Sequence, residues 1–245
     1  MRVTIAQVQV IKGNIEKNIE NHLKWIKQAI LHNADMVVFP ELSLTGYEPS
    51  LAEGLAGNQD DARLDEMQNL SDKNKITIGV GLPTRKESKV FVSMIILQPQ
   101  KGRITYSKQY LYPPEKSVFT AGENPLVLNL KTEIVSPAIC YETSNEAHCA
   151  YALRNNASIY IASVLSSVSG IDDELKKLSD IAKQNKLVTL MANYVGKSGG
   201  YDCAGKSSVW NEKGELVGQL GSEYEGIITF DTQTKEIKTV MNKPS

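Results

Sequence analysis

Apolar and polar residues follow two periodicities over the first forty positions of the chain, one typical of strands and one typical of helices. Residues 3–10 place apolar side chains in both sets of alternate positions, which predicts a strand buried on both faces. After Asn14, a residue type that can cap a helix, apolar residues recur at helical spacing: Ile15, Ile19, Leu23, Ile26 and Ile30. Residues 36–39 form another short apolar run, which Pro40 stops. The pattern therefore predicts a strand, a helix ending near residues 32–33 and a second strand.

The same strand and helix periodicities recur along the rest of the chain. Further helices are predicted at 60–74, 144–154 and 172–186. Further strands are predicted at 76–80, 90–97, 104–106, 134–139, 159–162, 188–192, 208–210, 215–217 and 226–230. Strands interleaved with helices predict an α/β fold, and the strand-to-strand stretches at 76–106 and 207–230 predict an antiparallel part of the sheet. Since no fixed-period repeat or low-complexity linker interrupts the sequence, we expect one domain over residues 1–245.

Composition and charge narrow the function classes. Hydrophobic residues make up 41% of the 245 positions, charged residues 22%, and the formal net charge is −1, which is typical of a globular protein and does not favour a nucleic-acid partner. No apolar run approaches the roughly 20 residues that span a bilayer, and the opening residues lack a signal-peptide pattern, so no membrane association is expected. The odd count of three cysteines, Cys140, Cys149 and Cys203, favours free thiols in a reducing compartment. We therefore expect a cytoplasmic protein.

Three reactive side chains stand where a predicted strand meets a loop: Glu41, Lys108 and Cys140. Ligands of α/β folds bind beyond the carboxyl ends of the strands, so these side chains are candidates for a common site. Cys140 can act as a nucleophile, and Glu41 can accept its proton and return it to a departing amine. Lys108 can hold a developing oxyanion, with the backbone N–H of Tyr141 as a second donor. This interpretation predicts attack on a carbon–nitrogen bond.

Each of these residues also has a simpler interpretation when it is taken alone. Cys140 can be a small buried apolar residue, Glu41 a solvated carboxylate and Lys108 a surface lysine. Glu115 lies in the same loop as Lys108, where it can orient that lysine, bind the leaving ammonia or form a rim charge.

Other catalytic arrangements are less favoured by the sequence. None of the three histidines has metal-ligand spacing, so no metal site is expected. The sequence contains no serine-nucleophile elbow, phosphate loop or dinucleotide fingerprint. A pair formed by Cys140 and His148 is disfavoured because a helix that follows a nucleophile more often carries such a residue outward.

Three motifs in order resemble the nitrilase superfamily of carbon–nitrogen hydrolases: residues 39–42 (FPEL), 108–111 (KQYL, with Glu115) and 139–142 (ICYE). The resemblance extends over nearly the whole chain. It implies an α/β four-layer α-β-β-α sandwich with mixed sheets that assembles into homodimers or larger homo-oligomers. It also implies a catalytic triad of Glu41, Lys108 and Cys140, with Glu115 as a recurring second glutamate. No metal or organic cofactor is expected.

The resemblance leaves the substrate and the final acceptor open. Members hydrolyse small amides, N-carbamoyl amines or nitriles, and a Cys-Glu-Lys triad implies a thioester acyl-enzyme. Alternatives are an acyltransferase, a glutaminase-type module, or a catalytically silent binding protein on the same scaffold.

Four side chains are expected to line the substrate pocket: Tyr47, Glu142, Ser163 and Asn193. Glu142 would favour a cationic amine by charge complementarity. Many members carry an Arg-Phe-Pro-Glu-like run soon after the nucleophile, where this chain has residues 143–146 (TSNE). The missing arginine removes an obvious clamp for a substrate carboxylate.

Overall fold

The computed structural model describes residues 1–242, and strands dominate this part of the chain. In chain order the strands are β1 (Arg2–Gln7), β2 (Met36–Val38), β3 (Thr77–Lys86), β4 (Lys89–Leu97), β5 (Ile104–Ser107), β6 (Leu128–Leu130), β7 (Glu133–Ile139), β8 (Ile159–Ser163), β9 (Val188–Ala192), β10 (Val195–Ser198), β11 (Tyr201–Ala204), β12 (Ser208–Trp210), β13 (Leu216–Gln219), β14 (Gly226–Asp231) and β15 (Ile237–Met241). The α-helices are α1 (Ile15–Leu31), α2 (Ala52–Leu55), α3 (Asp65–Asn74), α4 (Glu146–Arg154) and α5 (Ile171–Asn185). Short 3₁₀ helices cover Pro49–Leu51, Ala62–Leu64, Pro113–Ser117 and Cys140–Ser144.

The strands form two large mixed sheets and one separate hairpin. The first sheet has the order β15-β14-β1-β2-β3-β4-β5, with β1, β2 and β3 parallel and the outer strands antiparallel. The second sheet has the order β13-β12-β9-β8-β7-β6, with β7, β8 and β9 parallel at its centre. β10 and β11 pair with each other as an antiparallel hairpin, and Cys203 of β11 also forms an isolated bridge with Ser167. The mixed α/β architecture and its antiparallel parts are confirmed.

Both faces of each central strand are buried, because each sheet lies between the other sheet and a layer of helix. In β1, Val3 and Ile5 contribute to the apolar core between the two sheets, while Ala6 belongs to the core under α1. The second sheet is covered on its outer face by α5, which packs near Met191, and by α4, whose Ala152 packs near Tyr160. The four-layer α-β-β-α sandwich expected from the resemblance is confirmed.

The longest helix shows why the sequence forms its elements where it does. The side chain of Asn14 accepts a hydrogen bond from the backbone N–H of Lys17 and so caps α1. The helix ends at Leu31, and Asn33 adopts a left-handed conformation with φ of 55°, which asparagine tolerates better than most residues. No helix within residues 1–242 is long and apolar enough to cross a membrane.

The structure corrects several predicted boundaries. The helix predicted at 144–154 begins at Glu146, because residues 140–144 form a 3₁₀ helix and Asn145 caps α4 through its side chain. The helix predicted at 60–74 begins only at Asp65, after another 3₁₀ helix. Four strands were missed: β6, β10, β11 and β15. They are three to five residues long and carry polar or glycine residues, so their alternation is too weak to identify them.

Candidate active site

A cavity of about 220 Å³ opens where the two sheets end side by side. Its lining includes Glu41, Tyr47, Glu115 and Cys140. A larger open cleft of about 590 Å³ runs along the β3–β4 hairpin, but none of the predicted catalytic side chains lines it. Among residues 1–242, no cluster of histidine, cysteine or carboxylate side chains is arranged to hold a metal ion. The smaller cavity is therefore the candidate active site.

Glu41 is held by close packing of its loop against the first sheet. A Cβ atom at Gly81 would lie 2.2 Å from the backbone nitrogen of Leu42 and 2.7 Å from the carbonyl oxygen of Pro40, so glycine is required for this approach. The carbonyl of Gly81 accepts a hydrogen bond from the N–H of Leu44 at 2.9 Å. The hydroxyl of Tyr194 donates to the backbone carbonyl of Glu41 itself. These contacts fix the backbone from which the Glu41 side chain enters the cavity.

Lys108 lies at the centre of a buried hydrogen-bonded cluster. Its Nζ donates to Oε1 of Glu41 at 2.7 Å and to Oε1 of Glu115 at 2.8 Å. The hydroxyl of Tyr47 donates to the same Glu115 oxygen at 2.9 Å. The exposed fractions of the Lys108 and Glu41 side chains are both 0%. An ammonium and two carboxylates thus share a dry site, where charge interactions are far stronger than in bulk water.

Burial and mutual charge set the protonation of this cluster. Burial raises the pKa of Glu41 to about 7, although the positive charge of Lys108 acts in the opposite direction. Burial alone would lower the pKa of Lys108, but the negative charges around it, that of Glu41 first, raise it above its ordinary value. Lys108 therefore stays an ammonium at neutral pH, whereas Glu41 exchanges a proton near neutral pH.

Cys140 enters the cavity from the other sheet, directly after β7. Its backbone has a φ of 48°, an unfavourable value for a side chain other than glycine, and strain of this kind is concentrated at functional sites. Its Sγ lies 3.8 Å from the carbonyl oxygen of Leu165. Burial, and next the negative charge of Glu41, raise the pKa of the thiol well above its ordinary value, although the residue keeps partial exposure through the cavity. The thiol therefore needs a base before it can attack.

The groups around Cys140 can supply that base and stabilise negative charge. Oε2 of Glu41 has no hydrogen-bond partner in the described part of the chain. Burial keeps the pKa of this carboxylate raised, and the nearby Cys140 thiol offsets only a small part of that effect. The backbone N–H of Tyr141 lies in the first turn of the 3₁₀ helix that starts at Cys140, where N–H groups lack an acceptor within the helix. A thiol and a carboxylate thus line one cavity, with an ammonium and a backbone N–H beside them.

Glu142, which was expected to contact substrate, is fully buried behind the cavity and does not line it. Its two carboxylate oxygens accept hydrogen bonds from the backbone N–H of Gln109 at 2.6 Å and of Ile139 at 2.7 Å. The hydroxyl of Tyr106 donates to it at 2.8 Å, and His148 lies beyond this tyrosine at 2.9 Å. Glu142 therefore connects the backbone next to Lys108 with the backbone next to Cys140, and the structure gives no support to its selecting a cationic amine.

Ser163 and Asn193 also lie outside the cavity lining, whereas Tyr47 lies within it. The Ser163 hydroxyl donates to the backbone carbonyl of Phe39 at 2.8 Å and so connects the two sheets just before Glu41. The Asn193 side chain accepts from the N–H of Ser166 at 2.8 Å and donates to the carbonyl of the same residue at 3.1 Å. Both side chains therefore hold backbone segments near the cavity rather than line it.

Other cavity residues were missed by the sequence analysis: Tyr112, Ser144, Leu165, Ser166, Ser167, Gly170, Glu174, Lys177 and Tyr201. Most lie on loops or on α5, and only tertiary packing brings them to Cys140. Only Ser144 could have been identified from the sequence, because it lies four residues after Cys140.

Replacing Glu142 by glutamine should destabilise the fold and lower activity together. Glutamine offers one acceptor oxygen to the three donors that now reach this carboxylate, and its own N–H groups would face another donor. We expect the free energy of unfolding to fall by about 2–4 kcal/mol, since buried donors left unpaired cost about 1–3 kcal/mol each. Chemical denaturation checks this change, with exposed Glu146→Gln on α4 as the matched control. An unchanged midpoint for Glu142→Gln would contradict the connecting role.

The comparisons with known proteins identify the family. The carbon-nitrogen hydrolase family model matches residues 2–241, so the chain belongs to the carbon-nitrogen hydrolases. It is similar to the hydrolase in the agr operon of Staphylococcus aureus, with 26% identity over 245 residues covering 97% of this chain and 93% of that protein. It is also similar to the 2-oxoglutaramate amidase of Bacillus subtilis, with 24% identity covering 96% and 91% of the two chains.

A solved structure supports the same fold. A mutant of the amidase from Nesterenkonia sp. AN1, carrying acrylamide added to its active-site cysteine, matches with a TM-score of 0.87 and 22% identity over 96% of this chain and 94% of that one. The expected resemblance to the nitrilase superfamily is confirmed. The protein is therefore an enzyme of the carbon–nitrogen hydrolase class, with amidase-type relatives.

Proposed function

We propose that this enzyme hydrolyses small amides or N-carbamoyl amines, with Cys140 as the nucleophile, Glu41 as the general base and Lys108 as an oxyanion donor. One observation carries the proposal: Lys108 Nζ lies 2.7 Å from a fully buried Glu41 carboxylate at the cavity that Cys140 also lines. The three side chains come from two different sheets and converge on one small space.

The first half of the proposed reaction forms a thioester. Glu41 takes the proton of the Cys140 thiol as the sulfur attacks the carbonyl carbon of the amide. The carbonyl oxygen becomes an oxyanion, which the Nζ of Lys108 and the backbone N–H of Tyr141 stabilise. Glu41 then gives its proton to the nitrogen, the carbon–nitrogen bond breaks, and ammonia or an amine leaves.

The second half releases the acid and restores the enzyme. Glu41 takes a proton from a water molecule as the water oxygen attacks the thioester carbon. The same two donors hold the second oxyanion. The carbon–sulfur bond then breaks, the Cys140 sulfur regains the proton from Glu41, and the carboxylic acid leaves.

Glu115 serves this reaction by orienting other groups. Its Oε1 accepts from both Lys108 and Tyr47, and its Oε2 accepts from the backbone N–H of Tyr112 at 2.8 Å. An ammonium held by two carboxylates has a fixed direction, so little reorganisation is needed when the oxyanion forms. Glu115 is therefore proposed as a supporting residue that keeps Lys108 aimed at the cavity.

The pH profile of the reaction should have an acid limb near the pKa of Glu41, about 7. Below that pH Glu41 binds a proton and can no longer accept one from the thiol, so kcat/KM should fall about tenfold per pH unit. The measurement is kcat/KM for an uncharged amide from about pH 5 to 9, so that the substrate itself does not titrate. A profile that stays flat down to about pH 5 would exclude Glu41 as the base.

The proposal is tested by incubating the enzyme with small amides, N-carbamoyl amines, nitriles and L-glutamine. Carboxylic acid and released ammonia or amine are measured in each case, and acid-quenched samples are examined by intact mass for an acyl group on the protein. Hydrolysis with an acyl adduct mapped to Cys140 supports the mechanism. Hydrolysis with an adduct on another residue contradicts it.

The same experiment separates the alternatives. Product formation that needs an added amine or alcohol acceptor would indicate an acyltransferase, and turnover of L-glutamine alone would indicate a glutaminase-type enzyme. The homodimer implied by the resemblance stays a prediction, which light scattering on the purified protein checks. The cytoplasmic location also stays a prediction, which fractionation of the native cells checks.

A further inference from the structure

A buried histidine behind the cavity has no role in the proposed mechanism. His148 lies on α4, yet only 5% of its side chain is exposed. Its Nε2 lies 2.9 Å from the hydroxyl oxygen of Tyr106, and its Nδ1 lies 2.8 Å from the hydroxyl oxygen of Tyr160. Tyr106 in turn donates to Oε2 of Glu142 at 2.8 Å. Four buried polar side chains therefore form one continuous network between α4 and the backbone next to the site.

The direction of each hydrogen bond in this network follows from the protons available. Burial raises the pKa of both tyrosines well above the ordinary value and lowers that of His148 to about 4. At neutral pH each phenol thus keeps its proton, and the imidazole carries one. Tyr106 gives its only proton to Glu142, so its oxygen accepts from the Nε2–H of His148. The Nδ1 of His148 then has no proton and accepts from Tyr160, so all three donors point towards the Glu142 carboxylate.

A chain of donors that ends on a carboxylate stabilises the negative charge there. Each hydrogen bond in such a chain polarises the next one, so the N–H of His148 makes the Tyr106 hydroxyl a stronger donor to Glu142. Burial raises the pKa of Glu142 to about 7, and the backbone N–H groups, Tyr106 and Lys108 limit this rise. The charge of Glu142 near neutral pH is therefore sensitive to the loss of one donor.

The charge of Glu142 matters because this side chain holds backbone on both sides of the site. One oxygen accepts from the N–H of Gln109, which follows Lys108. The other accepts from the N–H of Ile139, which precedes Cys140. Protonation would turn one of these oxygens into a donor that faces another donor, and the backbone segment on that side would shift. A displacement of about 1 Å in an active site can cost about 10²-fold in rate.

We propose that His148 is a positioning residue: through Tyr106 it holds Glu142 as a carboxylate and so keeps the two backbone segments of the site aligned. The inference deepens the proposed function and rests on it, because the aligned segments carry Lys108 and Cys140. An imidazole suits this place because it accepts at one ring nitrogen while it donates at the other. The network also connects the outer helix α4 with both sheets, since its two tyrosines come from β5 and β8.

The pH response of this network comes from Glu142. The imidazole of His148 stays neutral down to about pH 4, and both phenols keep their protons far above neutral pH. Lys108, whose pKa lies above its ordinary value, stays an ammonium. The other titratable groups whose charges act on the two tyrosines are Tyr110, Cys149 and Glu174. Burial raises the pKa of the Cys149 thiol, so this neighbour on α4 is neutral at pH 7.

The test measures the pH profile of kcat/KM for His148→Phe on an uncharged amide that the wild type hydrolyses. Phenylalanine keeps a flat ring but has no donor, so the pKa of Glu142 should rise and the acid limb should move up by about one pH unit. Activity should fall about five- to tenfold at about pH 7 and stay within about twofold of wild type at about pH 9, with little change in KM. A loss of equal size at every pH, or no loss, would overturn the proposal.

Three further variants make the result specific. His148→Gln keeps a donor and an acceptor, so its acid limb should lie within about 0.3 pH unit of wild type, and a shift equal to that of His148→Phe would contradict the role of the donor. Glu142→Gln cannot ionise, so its activity should stay low at high pH, and recovery there would also count against the proposal. His32→Phe, at the C-terminal end of α1, is the matched control and should keep the wild-type profile. Melting temperatures at each pH confirm that the variants are folded.

The outcome also separates this inference from the proposed function. If amides are hydrolysed through an acyl adduct on Cys140 while His148→Phe keeps the wild-type profile, only the positioning role is excluded. If Cys140 forms no acyl adduct with any amide that is hydrolysed, the proposed function fails and the positioning role fails with it.

Discussion

Replacing Cys140 by alanine should lower kcat by at least about 10⁴-fold on any amide that the wild type hydrolyses, because the proposed mechanism forms the acyl-enzyme on the Cys140 sulfur. Alanine removes only the sulfur, which is partly buried against two apolar clusters, so the variant should fold with a small loss of stability. Steady-state release of ammonia measures activity, and thermal unfolding measures stability. Residual hydrolysis within about tenfold of wild type would exclude Cys140 as the nucleophile.

The other two cysteines provide matched controls for this experiment. Cys149 lies on α4 and Cys203 on β11, and neither lines the cavity. Cys149→Ala and Cys203→Ala should each keep kcat within about twofold of wild type, because ordinary substitutions away from the site change little. Comparable losses in all three variants would point to a general effect of thiol removal rather than to catalysis.

Replacing Lys108 by methionine should damage both activity and stability. Loss of an oxyanion donor costs about 10²–10³ in kcat, and loss of orientation at Glu41 adds to it. The two carboxylates that now share the Lys108 ammonium would remain buried without a counter-charge, so we expect the free energy of unfolding to fall by about 3–5 kcal/mol. Chemical denaturation and amide hydrolysis, measured on the same preparation, check both effects.

The stability loss in Lys108→Met should depend on pH in a defined direction. Glu41 has a pKa of about 7 even beside the ammonium, and removal of the ammonium raises it further. The folded variant then keeps a proton that the unfolded chain has lost, so its stability falls as pH rises. The difference from wild type should be smallest near about pH 5 and largest above about pH 7. Lys116→Met, in the exposed part of the neighbouring 3₁₀ helix, should show no such trend.

Much of the fold follows from local patterns in the sequence. α1 and β2 were predicted to within one or two residues, because strongly apolar stretches bounded by Asn14 and Pro40 leave few alternatives. β1 was also predicted, although it ends at Gln7, three residues before the predicted end. The β10–β11 hairpin was not predicted, since it has only four residues in each strand and glycines at 196, 199 and 200. Its position depends on contacts with distant loops, such as the N–H of Tyr47 donating to Ser198 at 2.8 Å.

The site residues that could be predicted are those with a reactive side chain directly after a predicted strand. Glu41, Lys108 and Cys140 each follow a strand, and the structure brings them together. Ser163 occupies a similar strand-end position, yet its hydroxyl is directed to the backbone of the other sheet. Lys177 on α5 also lines the cavity, but the local sequence does not show which way this helix faces, because packing decides its orientation. Strand ends therefore indicated the three side chains that meet at the cavity, but not the loop and α5 residues that line the rest of it.

The distribution of the site over two sheets has a consequence for how the enzyme matures. β1 pairs with β14 through residues more than two hundred positions apart, for example Ile5 with Ile228, so the first sheet closes only when the distal strand is present. Glu41 and Lys108 follow strands β2 and β5 of that sheet, while Cys140 follows β7 of the other. Such long-range pairing is slow, because loop closure must precede the contacts that stabilise it. Newly made chains should therefore gain helix and local hairpin signals first, and the reactive centre should form only when the two halves dock.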